Sequence, residues 1–384
     1  MTPPTHWRDM LAIMATTTVA GMTISLSFPL LNLVLEREGV GASLIGLNSA
    51  AGGLAIFALA PWLPRLIARL GALRCARLGL LIAVACFLLL PLRVDVWTWF
   101  GLRFLLGVGI TLLAVVSEAA INALADDGSR GRVMGLYATL FCVGYAAGPL
   151  LVSLVGSEGL FPFALSAGLL AAALLPIGLA RNLDAALAEP GTARLGLMWR
   201  LSPLAFGAIL TFGFVETTQM ALLPLYGLRL GYGEAGAALL LSLFIAGNIL
   251  FQLPLGWLAD RLPRRRVLLG CAAASLLAIA LLPLAMRTPA AAWALLVAFG
   301  GVAGGLYTVT LALLGQRFRA GADLAVANTA FFMMYQLGAV AGPALGGLAM
   351  GGLGPHGLPL VAALALAAFL GLGLLPGARR RLPA

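Results

Sequence analysis

The chain carries a dense cationic clamp between two long apolar runs: Gly256, Trp257, Leu258, Ala259, Asp260, Arg261, Leu262, Pro263, Arg264, Arg265 and Arg266. Such a cluster is excluded from hydrocarbon, so it is expected as a short loop at one membrane face. A worn copy lies about half a chain earlier, from Pro64 and Arg65 through Ala68, Arg69 and Gly71 to Arg74. Two related loops, one per half, indicate an internally duplicated membrane protein, and that organisation points towards transport.

Composition supports the membrane. Of 384 residues, 61% are hydrophobic and 10% charged, with a mean hydropathy of +1.03. A soluble chain would carry about a quarter charged residues. At about 20 apolar residues per crossing, the runs give twelve spans. They fall near 10–34, 42–63, 75–92, 97–121, 132–155, 160–180, 202–226, 235–256, 267–286, 291–315, 324–350 and 357–377. The first is read as a span and not a signal peptide, because it lacks a small-x-small cleavage site. Little chain remains for a soluble domain.

A net charge of +10 would suggest nucleic acid in a soluble protein, but these charges are all Arg and sort by side. With the N-terminus placed inside, the cytoplasmic segments collect Arg8, Arg65, Arg69, Arg74, Arg77, Arg130, Arg132, Arg181, Arg194, Arg200, Arg261, Arg264, Arg265, Arg266, Arg317, Arg319, Arg379, Arg380 and Arg381. The other side collects Arg37, Arg93, Arg229 and Arg287, and Arg103 lies within a span. Nineteen against four is a strong positive-inside bias, and it places both termini in the cytoplasm. Cys75, Cys86, Cys142 and Cys271 show no metal-type spacing and read as packing residues.

The duplication extends beyond the clamps. Gly144, Gly148 and Pro149 recur as Gly338, Gly342 and Pro343, and Pro29 recurs as Pro224, at offsets near 194 residues. Two six-span bundles are therefore expected, 1–180 and 201–384, joined by a polar cytoplasmic linker over 181–200. Spans 3, 6, 9 and 12 hold almost nothing polar and are expected to face lipid, while polar groups collect in the others.

At these residues the chain resembles the major facilitator superfamily. The clamp is similar to that family's loop between helices 2 and 3, echoed between 8 and 9, with Pro263 in place of a Gly. In the first copy Pro64 replaces Gly and Ala68 replaces Asp. Arg103, Gly107 and Gly109 look like the helix 4 motif, and Gly135, Gly144, Gly148 and Pro149 like the helix 5 motif associated with antiporters. Its trailing Gly pair is present only in the second half, as Gly346 and Gly347. Ser117, Glu118 and Asn122, Glu216 with Leu222 to Gly227, and Gln252 to Trp257 look like the YcaD-like bacterial branch. The resemblance implies an all-α membrane fold of twelve helices in two pseudo-symmetric bundles; fold transfers across such a family, substrate does not.

Several polar groups within the spans are candidates for substrate binding or proton coupling. Glu216 lies mid-span beside Gly213 and Thr217, where a carboxylate is costly unless protonated, paired or wetted. It reads as a proton-coupling or cation-binding group, or as interhelical glue. Gln219 shares its helix face. Asn248 and Gln252 share a face of span 8, and Tyr226, Tyr335 and Gln336 supply further polar contacts from spans 7 and 11. Each reads singly as glue, and together they suggest a mostly apolar pocket with few polar anchors. Arg103, near Trp97 and Trp99, either snorkels to the interface or acts in a proton relay of the kind the resemblance implies. Glu118 is expected to form a gate ion pair with Arg69 or Arg74. Asp260 resembles the family's gate Asp, which caps a helix end and pairs with Arg; Arg261, Arg264 and Arg265 belong to the same gate or act as topogenic charges. Gly144, Gly148, Pro149, Gly338, Gly342 and Pro343 permit close helix packing, with a local break in span 5.

These features suggest a bacterial inner-membrane secondary transporter, expected to be monomeric, without cofactors or nucleic-acid partners. It would work by alternating access on a small-molecule substrate. No Gly-rich loop precedes a Lys, so proton-linked efflux of a small, partly apolar molecule is favoured over ATP-driven transport. Uptake of a metabolite is the alternative within the fold; a membrane enzyme or a non-transporting sensor is the alternative outside it. His6 and His356 lie at segment ends away from any catalytic cluster, and no room remains for a sensor domain.

Overall fold

The computed structural model describes residues 5–60, 62–124, 130–179, 202–317 and 322–375; the 181–200 linker lies outside them. Thirteen α-helices make up the described chain. They are α1 (Thr5–Arg37), α2 (Ala42–Leu59), α3 (Leu63–Leu70), α4 (Ala72–Leu89), α5 (Val96–Leu124), α6 (Arg130–Val155) and α7 (Phe161–Leu179), then α8 (Pro203–Arg229), α9 (Gly233–Arg261), α10 (Arg264–Ala285), α11 (Pro289–Arg317), α12 (Ala322–Leu353) and α13 (Gly357–Leu374). All but α3 are long and apolar enough to cross a membrane, which gives twelve spans. The protein is therefore a multi-pass membrane protein.

Two details of the clamp regions depart from the sequence reading. The second clamp is not a loop. Gly256 to Arg261 form the last turns of α9 and Arg264 to Arg266 the first turn of α10, leaving Leu262 and Pro263 as the only link. A helix does not stop at the hydrocarbon boundary; it runs on until Pro263 removes a donor and restricts the residue before it. The first clamp folds into the short α3. Its apolar residues at 63, 66, 67 and 70 follow the helical period, with Leu63 and Ile67 buried and Arg65 and Arg69 exposed. The turn into α4 is made at Gly71, whose φ of 83° is a left-handed conformation that a side chain would strain. The expected break in span 5 is absent: α6 runs through Pro149, and α12 through Pro343, as continuous helices.

The chain divides into two compact units, Met1–Val40 with Ala51–Pro190, and Gly41–Ala50 with Gly191–Ala384. In the first, α1 packs on α6, α7 and α5, and α4 on α5 and α7. In the second, α8 packs on α12, α13 and α11, and α10 on α11 and α13. The pairing α1–α6 thus recurs as α8–α12, and α4–α7 as α10–α13.

Apolar burial does little to hold helices together in lipid, so close backbone approach has to. The repeated glycines sit at these crossings. An added Cβ at Gly144 would meet the Thr18 carbonyl oxygen, and one at Gly148 the Met22 oxygen and the Ser25 hydroxyl, all on α1. In the second unit Gly338 faces the Leu210 oxygen and Gly342 the Phe214 oxygen and Thr218 hydroxyl, all on α8. Gly213 of α8 faces the Tyr335 oxygen in return. Thr217 donates to Gly213 O (2.6 Å) and Ala339 O (3.1 Å), tying α8 to α12.

Candidate functional site

Helix α8 is the most buried of the described spans. From Thr211 to Gly227 every residue is buried except Glu216, which is part-exposed. The Tyr335 hydroxyl of α12 donates to Glu216 Oε2 at 2.7 Å. Among the described residues this is its one side-chain bond, and no cationic side chain pairs with it. A carboxylate inside a bundle is ordinarily neutralised by a partner or by a proton. Here the fixed partner is a neutral phenol.

Aromatic rings adjoin this group. Phe212 lies one turn before Glu216 on the same face of α8, with its ring centroid 6.0 Å from Tyr335 and 5.6 Å from Tyr307 of α11. Phe331, one turn before Tyr335 on α12, is 5.4 Å from Tyr307 in an edge-on contact. Three helices of one unit therefore join four rings in a series of contacts that reaches the carboxyl at Tyr335. Gln219, three residues after Glu216, is fully buried, and neither of its amide atoms has a hydrogen-bond partner among the described residues.

The other expected pocket residues are placed differently. Gln252 Nε2 donates to Asn248 Oδ1 at 3.3 Å, so these two amides partly satisfy each other on α9. Asn248 faces Gly304 of α11, where a Cβ would strike its amide oxygen. Tyr226 lies ten residues beyond Glu216, about 15 Å along the helix, and its hydroxyl is 3.2 Å from His356 Nδ1 at the start of α13. Gln336 is buried beside Tyr335. The side chain of Asn122 lies outside the described part.

In the first unit, Arg103 does not snorkel. It is 5% exposed and its Nη2 donates to Asn32 Oδ1 at 2.5 Å, α5 to α1. Trp99 is also buried and donates to the carbonyls of Leu90 and Arg93, both at 3.0 Å, so it does not line an interface for Arg103 to reach. Asn32 was not a sequence candidate; the two residues are 71 apart and carry no local signal of the bond. Glu118 is exposed and, among the described residues, makes no ion pair with Arg69 or Arg74. Its electrostatic neighbour is Tyr137 of α6, which hydrogen-bonds Thr17 of α1.

The clamp arginines are bonded to helix ends. Arg264 Nη1 donates to Ala312 O near the end of α11, and Arg265 Nη2 to Gly373 O at the end of α13, both at 2.6 Å. Arg77 repeats the second bond in the first unit, reaching Gly178 O at the end of α7 at 3.1 Å. Cations suit these positions because all three lie near the negative end of a helix dipole, and the carbonyls of Gly178 and Gly373, in the last turns of their helices, also lack intrahelical donors. Asp260 pairs with Arg264 at 3.5 Å but is well exposed, and α10 has Pro263 at its N-cap without a side-chain bond, so Asp260 does not cap α10. Exposed pairs of this kind contribute about 0–1 kcal/mol. Arg261 stacks over Trp257 at 3.7 Å from the ring centroid.

Twelve apolar helices, a duplicated bundle and polar groups turned into the second bundle describe a membrane transporter. The profile of the Major Facilitator Superfamily matches residues 13–239 and 205–383, and the chain belongs to that family. The uncharacterized MFS-type transporter YfkF of Bacillus subtilis (strain 168) is 28% identical over 262 residues, covering 65% of this chain and 66% of YfkF. The uncharacterized MFS-type transporter YcaD of Salmonella newport (strain SL254) is 28% identical over 287 residues, 74% of each chain, in keeping with the YcaD-like branch. Among solved structures, the nucleoside transporter NupG aligns over 99% of this chain and 100% of its own, with TM-score 0.79 and 15% identity. A bacterial homolog of the human lysosomal transporter Spinster, inward-facing and occupied, aligns over the whole of both chains with TM-score 0.75 and 14% identity. These last two likenesses show the fold alone. The family is one of transporters, not enzymes.

Proposed function

We propose that this chain is a proton-coupled secondary transporter of a bacterial inner membrane, working as a monomer by alternating access with both termini cytoplasmic. Its preferred mode is export of a small, partly apolar molecule in exchange for protons. The reading rests on Glu216: a part-exposed carboxyl in the otherwise buried stretch from Thr211 to Gly227, with a phenol and no fixed cation as its partner. Such a group is free to exchange its charge state during the cycle. Ionised, it accepts the Tyr335 hydroxyl; protonated, it becomes a donor itself, and the phenol can turn to accept. Each state keeps a hydrogen bond, so proton uptake on one side and release on the other need not leave a bare charge in the bundle.

The test begins with ligand-induced thermal stabilisation of the purified protein across small neutral, anionic and cationic molecules. The strongest stabiliser is then followed in proteoliposomes under an imposed pH gradient. Accumulation against its own gradient, with movement opposite to the protons, is expected. Equilibration alone, indifferent to the pH gradient, would refute the coupling, and movement with the protons would make the protein an importer.

A further inference from the structure

We infer that the niche around Glu216 receives a monovalent organic cation with apolar substituents, an inference that rests on the functional reading of Glu216 above. Three observations carry it. First, the carboxyl has no cationic partner among the described residues, while arginines of this unit are bonded elsewhere, Arg264 and Arg265 to helix-end carbonyls. Whenever the carboxyl is ionised, its charge is left for an arriving cation to match. Second, aromatic rings run on from the carboxyl: Tyr335 bonds it, and Phe212, Tyr307 and Phe331 join Tyr335 in a series of contacts at centroid spacings of 5.4–6.0 Å, with Phe212 and Phe331 buried and Tyr307 38% exposed. Ring faces attract alkylammonium groups and repel anions. Third, Gln219 shares the stripe of Phe212 and Glu216 and is fully buried with both amide atoms unpartnered. Its carbonyl suits the N–H of a protonated amine.

Other classes fit less well. Ca2+ and Mg2+ take six or more oxygen ligands and Zn2+ three or four from His, Cys or carboxylate, and the niche offers one carboxyl. A neutral apolar ligand would use the rings but gain nothing from the ionised carboxyl.

The experiment compares benzyltrimethylammonium with its uncharged carbon isostere, neopentylbenzene, each titrated against the purified full-length protein in the same detergent. The cation is expected to bind at least about tenfold more tightly. Glu216→Gln should remove that preference and Glu216→Asp should retain part of it. Tyr335→Phe keeps the ring and should stay within about threefold, while Phe212→Leu should weaken the cation by about three- to tenfold. Equal binding of cation and isostere, absence of cation binding, or cation binding unchanged in Glu216→Gln would overturn the inference. The comparison in the unmutated protein decides even if a variant fails to fold. The two readings also separate: cation preference without proton-linked flux upholds this inference and removes the coupling, and proton-linked flux of a ligand with no cation preference does the reverse.

Discussion

Replacing Arg265 by Met keeps the aliphatic stem and removes the guanidinium that holds Gly373 O at 2.6 Å. That carbonyl is one residue from the end of α13, among those without an intrahelical donor. A hydrogen bond from a charged group is worth about 1.5–3 kcal/mol, and the favourable helix-dipole term of about 0.3–1 kcal/mol overlaps with it, so a loss of about 2 kcal/mol is expected. At about 2–4 °C per kcal/mol for a unit of this size, the unfolding midpoint should fall by about 4–8 °C. Thermal unfolding in detergent can be read with a thiol-reactive dye, since Cys271 of the same helix is buried. Arg266 is exposed, with no side-chain bond among the described residues, and Arg266→Met should change stability by about 0.5 kcal/mol or less. Arg77→Met, which breaks the longer and more exposed bond to Gly178, should fall between the two. If Arg265→Met and Arg266→Met had equal effects, the arginines would be topogenic charges only and the capping argument would fail.

Two further outcomes follow from the fold. At Gly342 an added side chain meets backbone of α8, so Gly342→Val should cost about 1–3 kcal/mol by forcing α8 and α12 apart; at Gly270 of α10 nothing lies within 4 Å, so Gly270→Ala should be neutral or gain about 0.5–1 kcal/mol, both measured by thermal unfolding. Asp95, just before α5, accepts from Thr98 N (2.9 Å) and Thr98 Oγ1 (2.8 Å), and these bonds hold its carboxyl below the usual carboxylate value. Its stabilisation is therefore present above its unfolded pKa of about 4 and lost as pH falls through the lowered folded value. The midpoint difference between wild type and Asp95→Ala should hold constant from neutral pH downwards and shrink only in that acid range.

The spans were legible because arginines and turn residues bound each apolar run, and the duplication because Gly144, Gly148 and Pro149 recur at a fixed offset as Gly338, Gly342 and Pro343. Helix ends were less so, since α9 continues through Trp257 and Asp260 to Arg261 on backbone bonding that hydropathy does not measure. Helix α3 was legible in the period of Leu63, Leu66, Ile67 and Leu70, a signal masked by its likeness to the clamp. Glu216 stood out as an acid amid apolar residues. Tyr335 stood out as a polar candidate, but its bond to Glu216 and the rings of Phe212 and Tyr307 around it did not, because the three meet only when α8, α11 and α12 pack. Bonds such as Arg103 to Asn32 or Arg265 to Gly373 join residues 71 and 108 apart, and no local pattern announces them.

The most direct test of the central claim is transport by Glu216→Gln in proteoliposomes, using the ligand identified by thermal stabilisation. Gln keeps the volume and can still bond Tyr335, but it cannot release a proton. Gradient-driven accumulation should disappear at unchanged expression, whatever becomes of ligand binding. Wild-type accumulation with wild-type pH dependence in that variant would contradict the account.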